Sequence, residues 1–174
     1  MRLKIRFPLR HPLYPDWVMT PARAARGRTT ALSGTYRELV RAASSGVSAG
    51  RAVFVMHSPD TPLLSDADRD VLWNAFQVPV FACLLDAEGR LVGYECEAQD
   101  GLHIGTACPD GSHKMRIFHE DSILGYRIPL DQTVLETSPC ECGRPGHRLR
   151  FRTPRIGPRR FELVTSSLDT RAAG

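Results

Sequence analysis

Two short segments, Glu95-Cys96-Glu97-Ala98-Gln99-Asp100-Gly101-Leu102-His103 and Cys140-Glu141-Cys142-Gly143, constrain this chain more than any other stretch. Between them they carry three thiols and an imidazole, the soft donors of a tetrahedral metal site, and zinc is the ion whose borderline softness suits them. The one-residue spacer lets Cys140 and Cys142 reach a single ion from a tight turn ended by Gly143. Cys96 and His103 would complete four ligands, with Cys108 as a possible substitute for one of them. A metal shared by such distant segments staples one domain together, so the expected role is structural before it is catalytic.

Cysteine usage points the same way. Five cysteines is an odd number, and Cys-x-Cys is too close for a common bridge in a chain large enough to need none. Free thiols or metal thiolates are expected. With 174 residues, 42% of them hydrophobic, the chain can bury one proper core. No apolar run approaches the roughly 20 residues that span a bilayer. The basic start Met1-Arg2-Leu3-Lys4-Ile5-Arg6 runs into prolines rather than a signal-peptide stretch. The expectation is a cytoplasmic protein with no membrane partner.

The formal charge of +4 is unevenly distributed. Arg2, Lys4, Arg6, Arg10, Arg23, Arg26, Arg28, Arg37 and Arg41 face only Asp16 and Glu38 in the first 50 residues. A second run, Arg144, Arg148, Arg150, Arg152, Arg155, Arg159 and Arg160, meets no acid until Glu162. Such stretches can bind the phosphates of nucleic acid or nucleotide, or an acidic protein partner. A solvated face in an arginine-rich composition is the plainer reading.

Hydrophobic patterning predicts a mixed α/β (α+β) fold, a small mixed sheet carrying a strand-helix-strand-hairpin unit and a small zinc-stapled β subdomain. Leu3, Ile5 and Phe7 alternate as an edge strand, and Pro8, Pro12, Pro15 and Pro21 make the first 30 residues peripheral. Thr35 to Ala43 reads as a short helix with Leu39, Val40 and Ala43 on one face. Arg51 to Met56 is a continuous apolar run, the pattern of a central strand. Ser65 caps a helix running to about Gln77, with Val71, Leu72, Ala75 and Phe76 as its buried stripe. Trp73 is expected in the core, and Asp66, Asp68 and Asp70 suit a helix N-terminus.

Val78 to Leu84 and Leu91 to Cys96 flank Asp86-Ala87-Glu88-Gly89-Arg90 as a hairpin. Met115 to Phe118, Leu124 to Ile128, Val134-Leu135, Arg148 to Phe151 and Phe161 to Val164 read as short strands. The domain reading is a basic N-terminal extension over 1–50 packing on a core, and an α/β domain over 51–174 with the zinc site and a short basic tail. Cys83 lies in an apolar strand as an inert thiol, and His113, His119 and His147 read as solvated. No catalytic residue and no organic cofactor is expected.

Leu64 to Phe76 followed by Val78-Pro79-Val80, then Glu95-Cys96-Glu97 with Gly101-Leu102-His103, resembles the phenylacetate-CoA ligase family of adenylate-forming ligases. Tyr126-Arg127 ahead of Cys140-Glu141-Cys142-Gly143-Arg144-Pro145-Gly146 is similar to that family's Arg-Tyr-Arg segment and Cys-x-Cys-Gly-Arg motif. Order and spacing agree over about residues 51 to 152. The resemblance implies that Cys96, His103, Cys140 and Cys142 lie together and hold zinc, which selects them over Cys108. It also implies part of an adenylating domain rather than a complete ligase.

Departures from the family pattern bear on activity. Gly27-Arg28-Thr29-Thr30 with Ser33-Gly34-Thr35 lacks the order of the family's phosphate loop. Leu84-Leu85-Asp86-Ala87-Glu88-Gly89 stands where the family has Tyr-Gly-x-Thr-Glu, and Ile128-Pro129-Leu130-Asp131 where it has Thr-Gly-Asp. A C-terminal domain with a catalytic lysine has no room after Arg160. The expectation is a non-catalytic zinc-binding accessory or binding protein derived from a ligase fragment. The alternatives are an acyl- or nucleotide-binding component of a split CoA ligase, or a nucleic-acid-binding zinc module.

Overall fold

The computed structural model describes residues 14, 16–58, 61–86, 88–104, 118–119, 122–123, 133–144 and 146–151. The edge strand expected at Leu3 to Phe7, the strands at Leu124 to Ile128 and Phe161 to Val164, and Cys108, His113, Tyr126 and Arg127 lie outside these residues.

Ten strands and two helices are assigned among the described residues, and eight of the strands form one mixed sheet. In sheet order these are β1 (Met19–Pro21), β2 (Arg28–Gly34), β3 (Ser48–His57), β4 (Val80–Leu85), β5 (Leu91–Glu95), β6 (Leu102–Ile104), β10 (His147–Phe151) and β9 (Thr133–Glu136). The first four run parallel and the rest antiparallel, each to its neighbour. Two short strands, β7 (Phe118–His119) and β8 (Ser122–Ile123), pair separately. The mixed α/β class expected from patterning is what the chain adopts. The β part expected around the cysteines extends the main sheet through β6, β10 and β9.

Parallel strands need crossovers; the two helices supply two of them, while the short segment 22–27 returns the chain from β1 to β2. Helix α1 (Tyr36–Ser44) joins β2 to β3, and α2 (Asp66–Phe76) joins β3 to β4. Each begins on a reciprocal capping box, Thr35 with Glu38 and Ser65 with Asp68. Gln77 ends α2 in the left-handed region, its N–H donating to the Trp73 carbonyl at 2.7 Å.

Alternation along β3 divides the core. Val53 and Val55 pack with Leu39, Leu72 and Phe76 on the helix face. Ala52, Phe54 and Met56 pack on the other face with Phe81, Cys83 and Tyr94, under Tyr14 and Trp17. A third cluster, Ala82, Leu84, Leu102, Ile104 and Leu149, carries the core into the antiparallel half.

Two expectations are corrected. The boundary expected at residue 50 falls inside β3, and Arg28 to Gly34 lies in parallel register with that strand, so residues 19–50 form part of the sheet and its helix layer rather than an extension. Parallel pairing is non-local, and a segment with little more than Ala31 and Leu32 as apolar signal does not announce it. The stripe of α2 is also narrower than expected. Leu72 and Phe76 are buried, whereas Ala75 is exposed and Val71 and Trp73 are 48% and 47% exposed. One sheet face and α1 cover only a single i, i+4 line of this helix.

Candidate metal centre

Cys96 follows β5 directly, and the chain turns there with the Gln99 N–H donating to the Cys96 carbonyl at 3.0 Å. Cys140 opens a matching turn, closed by the Gly143 N–H on the Cys140 carbonyl at 2.8 Å. Gln99, Gly101 and Gly143 take positive φ values of 50°, 91° and 75°, in or just after these turns. His103 comes from β6. Its neighbours Leu102 and Ile104 enter the third core cluster, so strand alternation puts the imidazole on the opposite face, where it stacks on Tyr94 at 5.4 Å between ring centres.

The four expected residues therefore converge. One donor atom from each of Cys96, His103, Cys140 and Cys142 lies within 4.8 Å of the other three, and all but Cys142 are buried. Cys96 Sγ and Cys140 Sγ are 3.6 Å apart, and Cys142 Sγ is 3.4 Å from His103 Nε2. A tetrahedron with metal–sulfur bonds of about 2.3 Å has edges of about 3.8 Å, slightly shorter where nitrogen replaces sulfur. These two separations fit donors around one ion. All four described cysteines, Cys83 included, are free thiols.

The electrostatics divide the donors. Burial pushes the Cys96 thiol up to about 12, against the Ala98 backbone N–H. Burial opposes ionisation of Cys142 too, yet the Arg144 N–H, the Cys140 thiol and the Arg144 guanidinium hold it below the ordinary thiol value. Desolvation and the positive charges of Arg148 and Arg144 hold His103 below its usual value, favouring the neutral imidazole that a metal requires. Its Nδ1 is buried with no hydrogen-bond partner among the described residues. Burial also raises the Cys83 thiol strongly, in keeping with the inert thiol expected there.

A polar shell around the cluster was not read from sequence. Arg148 on β10 pairs across the sheet with His103 and is 3% exposed. Its guanidinium donates to the Asp100 carbonyl at 3.1 Å and to the Asp100 carboxylate. Arg150 Nε meets the same carboxylate at 2.9 Å, and Arg144 Nη1 donates to both oxygens of Glu97 at 3.1 Å. Thus Arg144, Arg148 and Arg150 of the second basic run are matched by acids of the first ligand segment. Arg152, Arg155, Arg159 and Arg160 lie outside the described residues. The signal in the sequence is opposite charge, Glu97 and Asp100 in the first ligand segment against Arg144, Arg148 and Arg150 following the second. His147 opens β10 as an exposed residue, while of His119 only the backbone is described.

No protein-family model matches this chain, and no curated protein matches it. No helix among the described residues is long and apolar enough to cross a membrane.

Proposed function

We propose that this is a non-catalytic binding or accessory protein whose antiparallel half is stapled by one zinc ion on Cys96, His103, Cys140 and Cys142. The observation that carries this reading is the approach of four soft donors to within 4.8 Å of one another. Four protein donors saturate a tetrahedral shell and leave no position for an activated water. Three thiolates would give the site a charge of about −1 with zinc, which Arg144 and Arg148 offset. Free thiols fit a reducing cytoplasm.

Zinc would supply folding free energy, on the order of 10 kcal/mol in peptide cases. Protein purified without added zinc should carry about one equivalent by elemental analysis. Cys142→Ser should lose the metal and unfold at lower temperature. Full metal retention in that variant would overturn the ligand assignment.

The order of the ligase-like segments supports a second reading, in which the chain derives from an adenylate-forming ligase and contributes acyl or nucleotide binding to an assembly with an unidentified protein partner. Calorimetry with ATP, AMP and an acyl-adenylate tests it, and absence of heat with all three would sink it. A nucleic-acid-binding zinc module is less favoured, because Arg144, Arg148 and Arg150 are already paired with Glu97, Asp100 and Glu136.

A further inference from the structure

Four of the described arginines of the N-terminal half gather at one place. Arg23 and Arg26, from the β1–β2 connection, and Arg37 and Arg41, from α1, line one cavity of about 730 Å³. The buried side chains of Ala22, Ala25 and Ala42 also line it, their small size leaving the space open. Thr35 and Ser58, after the carboxyl ends of β2 and β3, line part of it, and Ser45 and Val47, between α1 and β3, line another, so the cavity runs along α1.

The charges are unbalanced. All four arginines are exposed, and none has a carboxylate within ion-pair distance among the described residues. Arg26 donates only to the Ala25 carbonyl, at 2.8 Å. Glu38, the cavity's one described carboxylate, is turned to the Thr35 N–H and Oγ1 at 2.9 and 3.0 Å. Arg37 and Arg41 stand four residues apart on α1, a spacing at which like charges oppose helix formation. The described arginines of β10, by contrast, are each matched to an acid. An adjoining chamber of about 400 Å³ shares Thr35, Arg37 and Thr61 with this cavity and is walled by Met56, Pro62, Leu63 and Leu64 together with Tyr36, His57 and Asp68, the last held by the Ser65 hydroxyl.

We propose that this crevice binds a small molecule carrying adjacent phosphate groups, gripped by Arg23, Arg26, Arg37 and Arg41, with its apolar portion in the adjoining chamber. Guanidinium groups match phosphate oxygens in pairs, and four of them exceed the charge of a single phosphate. The volume is that of a small-molecule pocket, whereas a nucleic-acid backbone asks for an extended track. None of the four arginines belongs to the ligase-like motifs, and the proposal does not rest on the metal reading.

Calorimetric titration of the full chain with inorganic pyrophosphate and with orthophosphate tests it. One pyrophosphate should bind per chain, at least about tenfold tighter than orthophosphate. R37A/R41A should weaken pyrophosphate at least about tenfold while melting temperature and metal content hold, since alanine is the strongest helix former. Arg28→Ala, on β2 outside the cavity, should change nothing. Absence of pyrophosphate binding, or equal loss in Arg28→Ala, overturns the site. Tighter binding of a single-stranded oligonucleotide that R37A/R41A abolishes overturns it in favour of a nucleic-acid track. A failed zinc assignment would instead show as missing metal, with the pyrophosphate result unaffected.

Discussion

One guanidinium nitrogen of Arg69 on α2 donates to both carboxylate oxygens of Glu95 on β5, at 2.8 and 3.1 Å. Glu95 Oε2 also accepts the Ala82 N–H at 2.7 Å, and Arg69 donates to the Val80 carbonyl at 2.5 Å. A helix and two strands are thus tied together one residue before Cys96. Arg69→Met would leave a carboxylate only 10% exposed without its cation, at an expected cost of about 3 kcal/mol. Glu95→Gln should cost less, because the amide oxygen still accepts from Ala82. Urea unfolding at fixed metal content measures both, and equal losses would count against a buried-charge explanation.

Among the described glycines, Gly101 is the one least able to gain a side chain. A Cβ there would lie 2.7 Å from the Leu149 carbonyl oxygen and 2.9 Å from Arg150 Cγ, at a φ of +91°. Gly143, at +75°, has nothing within 4 Å. Gly101→Ala should therefore destabilise by about 3 kcal/mol and weaken metal retention, while Gly143→Ala costs about 1 kcal/mol from backbone strain alone. Thermal unfolding with metal analysis of both variants checks the order, which a reversal would refute.

His57 gives an acid-sensitive component of stability. Burial holds its imidazole below the ordinary value. The Pro62 carbonyl, 3.0 Å from Nδ1, pulls the other way, and Arg69 adds to the depression. A carbonyl can only accept, so Nδ1 carries the proton of the neutral ring. The unfolded chain takes up a proton near its ordinary pKa of 6.5, before the folded chain does. The contribution is complete above that value and is lost as pH falls through the lower folded value. His57→Asn keeps a donor toward Pro62 and removes the titration. Unfolding free energies of the two proteins should converge between about pH 7.5 and pH 5; parallel curves would show that His57 is not responsible.

Ser65 fixes the start of α2. Its Oγ accepts the Asp68 N–H at 3.1 Å and donates to Asp68 Oδ2 at 2.7 Å. Ser65→Ala should cost about 1 kcal/mol, and Ser65→Thr, whose hydroxyl can both accept from the Asp68 N–H and donate to its carboxylate, should recover most of it. Chemical denaturation of both variants tells a cap from an incidental surface contact, for which the two would behave alike.

What the chain disclosed in advance was local. Ser65 with Asp68, the apolar run ending at Met56, and Gly89 between β4 and β5 each act within a few residues, and each is found where patterning placed it. The four donors were legible for a different reason, since cysteine and histidine are conspicuous in any sequence even when, like Cys96 and Cys140, they lie far apart along it. Partners fixed only by distant pairing were hidden. Arg28 to Gly34 becomes a strand because β3 lies beside it, and Arg148 is buried because Asp100 waits across the sheet. Trp73 misled because helical periodicity locates a face without giving its width.

The placement of β6 and β9 on either side of β10 has a consequence for how this protein tolerates change. Strands of the main sheet stop at Ile104 and resume at Thr133, and both pair with the same neighbour, Ile104 opposite His147 at its start and Thr133 opposite Phe151 at its end. β10 thus sets the register of both strands, whatever the length of the intervening stretch. Doubling its length would add only about 0.6 kcal/mol of loop-closure entropy. Natural insertions, or a grafted peptide, are best accommodated there, on a platform whose alignment does not depend on what is inserted.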